Sequence, residues 1–273
     1  MTGERVAALA VDLSCSGLTV AAESASAVLS PVVTPVSVLA ALDGSALPPG
    51  GDRLECSERT DAAAAGHPDR CLPDPVAHAH RDRVEVAGLS VPVTELLGAP
   101  VARALRWAGA RDGDAVVLVV PSDWGTIRTT RLVAAAHGVG VTARVVRSAL
   151  VTAEALPSSS ARWAVSVESS LTRSVVSLVE RARGGLTLVD RVVVQRRDPH
   201  RDTAVDDEVP RILAAITGLR RGRREASTGS TEILARGRVA EQVVDACDRA
   251  RLLSFVVPAV APVEAAARLY ATG

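Results

Sequence analysis

Few residues in this chain are of types that do chemistry. Asp12 ends an apolar run and is followed by Leu13, Ser14, Cys15 and Ser16, so one acid and three small polar groups share a turn. An acid so placed can hold a metal ion or a water, or can order the turn through its own backbone. Asp123 heads a helix-like stretch and is expected to cap it. Arg128 and Arg131 on that helix can contact a phosphate or form a solvated face. Asp206 and Asp207 suggest carboxylate chemistry only if a pocket surrounds them. The cluster Arg220, Arg221, Arg223 and Arg224 can dock on acidic lipid or protein, or be a solvated loop. No Ser–His–Asp or Cys–His arrangement is visible.

Four cysteines in 273 residues do not make a disulfide framework. Cys15 and Cys247 sit in apolar runs and read as core thiols. Cys56 and Cys71 share a segment with His67, His78 and His80. A zinc site or a Cys56–Cys71 disulfide can be drawn there. No pair has C-x-x-C spacing, so unrelated residues are the plainer reading.

Composition narrows the chemistry further. Basic and acidic residues number 31 each and cancel, which argues against bulk nucleic-acid affinity. Every basic residue is Arg, and there is no Lys, so a Walker-type phosphate loop and Schiff-base chemistry are excluded. Aromatics are 2%, so Ala, Val and Leu must fill the core. The uncharged stretch Ser24 to Leu42 contains Pro31 and Pro35 and does not read as a membrane span. Asp12 interrupts the first apolar run, where a secretory signal needs continuity, so a cytoplasmic protein is expected.

The elements that must position these residues follow from periodicity. Arg5 to Leu13 and Leu18 to Glu23 read as a hairpin, with Val32 to Leu42 as a third strand. Asp52 to Ala65 has helical spacing, and His67 to Pro75 is a Pro-rich crossing. Arg83 to Val93 reads as a small hairpin turning at Gly88. A helix over Thr94 to Ala108 is closed by Gly109. Then come a strand (Ala115 to Val120), a helix (Trp124 to His137), a strand (Val141 to Val146) and a short helix to Leu156. Pro157 to Ser160 marks a boundary between lobes 1–157 and 158–273. After it the hairpin pattern returns, with strands over Trp163 to Val167, Arg173 to Arg181 and Leu186 to Gln195. A helix (Arg201 to Leu219) and a loop over Arg220 to Arg224 follow. The chain ends with a strand (Glu232 to Ala235), a helix (Val239 to Arg249), a strand (Leu252 to Val257) and a helix (Pro262 to Ala271) that returns to the first lobe. Both halves share one order, so an α/β class with internal duplication is expected.

This order, with Val11-Asp12-Leu13 in the first strand turn, resembles the actin-like ATPase superfamily. It is most similar to the nucleotide-binding domain of DnaK-type heat-shock chaperones. Val119-Val-Pro121 through Gly140-Val141 resembles the chaperone strand and helix behind the ATP site. Pro68 to Asp74 is similar to its N-P-x-x-T-V-x-D segment, and Ala259 to Leu269 to its terminal helix. The resemblance implies a two-lobed, duplicated ribonuclease-H-like architecture.

The expected phosphate motifs are altered. D-L-G-T-T stands here as Asp12-Leu13-Ser14-Cys15-Ser16, without the glycine. The resemblance implies that Asp12, Ser14 and Ser16 are vestiges of a nucleotide site. In the second half D-L-G-G-G-T aligns with Ser166 to Leu171, so the metal-binding Asp is Ser166 and Glu168 sits where phosphate would. The γ-phosphate lysine aligns with Val76, and the Glu of N-E-P-T with Ser148. Only Val205 to Ser230 stands where chaperones carry the adenine-clamping subdomain, so the second lobe reads as truncated.

The resemblance thus implies a non-catalytic pseudo-ATPase, a scaffold or accessory protein that takes no ATP–Mg²⁺. It is similar to actinobacterial type VII secretion-associated proteins, which implies secretion-machine components as partners, without nucleic acid or membrane insertion. A homodimer is also compatible. The alternatives are a nucleotide-binding, non-hydrolysing switch and a small-metabolite kinase of the same superfamily. The interaction face is expected on the helix exposed by the truncation, at Val205, Val209, Ile212 and Ile216, beside Arg220, Arg221, Arg223 and Arg224.

Overall fold

The computed structural model describes residues 6–15, 17–24, 32–35, 37–40, 54–56, 71–86, 88–110, 113–156, 160–170, 172–196 and 204–271. The chain opens with β1 (Val6–Asp12), β2 (Gly17–Ser24), β3 (Val32–Pro35) and β4 (Ser37–Ala40). Next come β5 (Leu54–Glu55), β6 (Cys71–Pro73), a 3-10 turn (Pro75–His78), β7 (Arg83–Val86) and β8 (Leu89–Pro92). Then follow α1 (Val93–Ala108), β9 (Ala115–Val120), α2 (Thr126–Gly138), β10 (Thr142–Arg147) and α3 (Ser148–Glu154). The second half has β11 (Trp163–Ser169), β12 (Arg173–Ala182), β13 (Gly185–Gln195), α4 (Ala204–Gly222) and α5 (Arg224–Thr228). It closes with β14 (Thr231–Gly237), α6 (Ala240–Arg249), β15 (Ser254–Val256) and α7 (Ala261–Ala271).

Two five-stranded sheets carry the fold. Their orders are β10-β9-β1-β2-β3 and β13-β12-β11-β14-β15, one pattern used twice. In each, three consecutive strands pair antiparallel, and the last two join the first strand's other side in parallel. The parallel strands need crossovers, and α2 and α6 supply them between β9 and β10 and between β14 and β15. Strand β9 reads Ala-Val-Val-Leu-Val-Val because both its faces are covered.

Helices α1 and α2 cover one face of the first sheet, and α4 and α6 one face of the second. Between the sheets lie α3 and α7. Val263, Ala266 and Ala267 of α7 pack on Ala10, Ala21, Val117 and Val119 of the first sheet. Ala149 and Ala153 of α3 pack on Ala164, Val179 and Leu234 of the second. Alanine at these contacts lets helix and sheet approach closely, and burial is what holds the halves together.

Several expected elements change. The third strand divides, with β3 in the large sheet and β4 paired to β5 and β6, because Pro35 has no N–H to extend the ladder. Within the expected helix Asp52 to Ala65, Leu54–Glu55 is a strand, and positions 57–65 lie outside the described residues. The crossing His67 to Pro75 contains β6, while 67–70 are outside the described set. The expected loop Arg220 to Arg224 is mostly helix. Arg220 and Arg221 finish α4 and Arg224 opens α5, consistent with arginine's good helix propensity. Of the boundary segment, 157–159 lie outside the described residues. The hairpin turning at Gly88 stands, its φ of 76° suiting glycine, and Gly109 closes α1 at φ 63°.

Candidate functional site

Ligands of open α/β sheets bind beyond the carboxyl ends of the strands. Here those ends carry carboxylates from both halves. Asp12 closes β1 and is 1% exposed; Glu168, near the end of β11, is 2% exposed. Asp12 Oδ1 accepts from Ser14 N at 2.8 Å and from Ser14 Oγ at 2.6 Å, so the acid orders its own turn. Its other oxygen, Oδ2, takes the guanidinium of Arg236. Arg236 comes from β14 of the other half, where it pairs in register with Glu168. Arg236 Nη1 also donates to Ser148 Oγ at 3.1 Å, and the Ser148 and Ser14 hydroxyls lie 3.2 Å apart.

Glu168 reaches in the opposite direction. Its Oε1 accepts from Ser122 Oγ and its Oε2 from Ser122 N at 3.2 Å, just past β9 of the first half. Ser122 Oγ in turn accepts from Ala149 N at 2.8 Å, in the first turn of α3. The two ties cross: the first-strand acid of each half is held by a residue at the fourth strand of the other.

Burial shapes the electrostatics. It pushes the Glu168 carboxyl up to about 7, against the hydrogen bonds from Ser122 and the attraction of Arg236. It also pushes the Cys15 thiol up to about 11, with Arg236 opposing. For Arg236 burial is the largest single influence and works against the charge, yet Asp12, Cys15 and Glu168 together outweigh it and the guanidinium holds its proton above the ordinary range. With Glu168 protonated the cluster is neutral, Asp12 against Arg236.

A nucleotide phosphate with its metal does not fit these residues. Asp12 has one oxygen committed to Ser14 and the other to Arg236, and both Glu168 oxygens are committed to Ser122. A cation that belongs to the chain already stands between the carboxylates. Gly237, at φ 86°, permits the close approach of strand and turn: a Cβ there would meet Ser169 O at 2.1 Å.

At the rim, Asp123 takes Arg173 at 3.1 Å and Arg128 at 3.2 Å. This corrects its expected role as a helix cap, since the residue before α2 is Gly125 and no side chain caps it. Arg131 is also more than a solvated face. It donates to Ala79 O at 3.1 Å and Arg81 O at 2.7 Å and pairs with Asp82. On the far side of α3, Arg181 of β12 donates to Ala153 O at 2.7 Å and pairs with Glu232.

Of the residues expected at the nucleotide turn, Asp12 and Ser14 are brought together, and Ser16 lies outside the described residues. The expected interaction face is corrected. Val209, Ile212 and Ile216 are buried on their own sheet together with Leu219, because the α4 stripe fills the second core. Val205 lies in the first turn of α4, outside the described side chains. Arg220 is half-buried, while Arg221, Arg223 and Arg224 are exposed. Asp207 is exposed, and the Asp206 side chain lies outside the described set. Val76, at the lysine position, is buried in the core. Cys56, Cys71 and Cys247 are buried; Cys15 is half-buried rather than fully in the core. Among the described residues no cluster of three His, Cys, Asp or Glu side chains can hold a metal ion.

Sequence reasoning missed Ser122 and, above all, Arg236. The expected strand stopped at Ala235, whereas β14 continues to Gly237. A charged residue adjoining the run Ile-Leu-Ala, like Asp12 inside its own apolar run, signals a buried charge that needs a partner. No helix among the described residues is long and apolar enough to cross a membrane. Comparison with protein-family models and with curated proteins finds no match to either.

Proposed function

We propose that the two halves form a degenerate actin-like ATPase architecture with a shortened second lobe. In this reading the protein is a non-catalytic cytoplasmic scaffold or accessory protein. The repeated strand order, with one crossover helix in each half and α3 and α7 between the sheets, supports the architecture. The observation that carries the function is the Arg236 guanidinium set between Asp12 and Ser148. Phosphoryl transfer needs an open cradle for phosphate and cationic stabilisation supplied with the nucleotide. Here the chain's own cation and three serine hydroxyls take that place. The two lobes are joined by an internal latch where a nucleotide would otherwise join them. The resemblance sets such a scaffold beside type VII secretion components.

Thermal unfolding with millimolar Mg²⁺–ATP tests this. A ligand at about 100 times its Kd would add roughly 2.7 kcal/mol, a rise of several degrees for a chain of this size. The expected shift is no more than about one degree. A reproducible rise of several degrees, lost in Asp12→Ala, would overturn the reading.

A further inference from the structure

The outer edge of the second sheet differs from its counterpart in the first. Among the described residues β15 pairs on one side only, with β14 in the register Ile233↔Ser254, Leu234↔Phe255 and Ala235↔Val256. Ile233 N donates to Leu253 O at 2.9 Å, and Val257 N to Ala235 O at 2.8 Å. Odd-numbered residues thus turn their backbone groups inward, and Ser254 and Val256 turn theirs outward. This edge is apolar: Leu253 is 56% exposed, Phe255 40% and Val256 45%, and no charged residue occurs from Leu252 to Val263. β10, the matching edge of the first sheet, carries Arg144 and Arg147. Charges on an edge strand discourage pairing with another chain, and their absence leaves a template for it.

We propose that β15 pairs antiparallel with β15 of a second copy about a two-fold axis through Phe255. The two second sheets then become one continuous sheet of ten strands, twice the five of each copy. The outward groups sit at Ser254 and Val256, one residue either side of Phe255. About such an axis Ser254 of one copy falls opposite Val256 of the other, and the two exchange both hydrogen bonds. Phe255 then faces Phe255 of the second copy in a non-hydrogen-bonded pair, where side chains touch most closely.

Charge selects a second copy as the occupant. α6 flanks this edge, since Asp248 accepts from Ser254 Oγ at 2.7 Å. Its exposed charged residues are Glu241 and Asp245 towards the start and, towards the end, Asp248, which is taken by Ser254, with Arg249 and, just beyond the helix, Arg251. A two-fold axis sets the two α6 helices antiparallel and brings Glu241 towards Arg249 of the other copy. One short strand and one helix flank make a small interface, so association in the micromolar range is expected.

Sedimentation equilibrium of the full chain from about 1 to about 300 µM reads this out. The mass is expected to rise with concentration from 28.2 kDa towards twice that value. Phe255→Arg is expected to stay monomeric with an unchanged melting temperature, because the side chain is exposed. Glu241→Arg should weaken the dimer, and adding Arg249→Glu should restore it. Phe255→Cys should cross-link two copies under mild oxidation while the native chain, with its own four cysteines, does not. A native chain monomeric at the highest concentration overturns the proposal. So does a dimer undiminished in Phe255→Arg, or one weakened by Glu241→Arg that the second change fails to restore.

Discussion

The two halves follow one strand order but use their polar residues in opposite ways. In the first half the acid Asp12 is folded back on its own turn by Ser14, and the outermost strand β10 carries arginines. In the second half the cation Arg236 points out of its sheet into the other half, and the outermost strand β15 carries no charge. A repeated topology therefore fixes where polar groups can meet, at the carboxyl ends of the first and fourth strands. It leaves open what they do there. In this chain they close on each other.

That comparison can be broken most severely at Arg236. Arg236→Met removes the partner of a carboxylate that is 1% exposed. An uncompensated buried charge costs about 3–5 kcal/mol, so denaturant unfolding should report a loss of that size. A loss below about 1 kcal/mol would mean that the tie contributes little.

Glu168, the acid of the other half, gives a pH signature. Its folded carboxyl titrates at about 7, against 4.5 ordinarily. Between those values the folded state holds a proton that the unfolded state has released. Stability therefore falls as pH rises from about 4.5 to about 7, and is level above that. The span corresponds to a loss on the order of 3 kcal/mol. Glu168→Gln imitates the protonated acid, so its stability relative to the native chain should grow by that amount over the same window. A pH-independent difference between the two would show that Glu168 titrates normally.

The rim gives the smallest effect. Asp123→Ala deletes the pairs to Arg173 and Arg128, which lie close to solvent. A cost of about 1 kcal/mol or less is expected, shrinking with added salt. A loss as large as that of Arg236→Met would place the main tie between the halves at the rim.

Much of this architecture was legible in the sequence. The hairpin at Arg83 to Val93, the apolar strand β9 and the helices flanking it show their period directly, and their ends are marked by Gly88 and Gly109. The repeat of one element order in both halves was legible for the same reason. The split of Val32 to Leu42 was less so, since Pro35 interrupts a ladder only once its pairing partners are known. The fate of the α4 stripe could not be read at all. An apolar face looks the same whether it meets its own sheet or a partner, and here Ile212 and Ile216 meet their own sheet. That Asp12 and Ser14 share one turn was legible, since they are two residues apart at the end of an apolar run. The partner of Asp12, Arg236, lies 224 residues away, and no local pattern connects positions that far apart.

The central claim is that Asp12 and Arg236 are bound to each other across the two halves. A double-mutant cycle measures this most directly, using Asp12→Asn, Arg236→Met and the pair together, with stability read from denaturant unfolding. Residues joined in one buried network should show a coupling of about 2–3 kcal/mol, the double variant being far more stable than the sum of the single losses allows. Strictly additive losses, within about 0.5 kcal/mol, would contradict the latch and leave the space between the carboxylates open to another occupant.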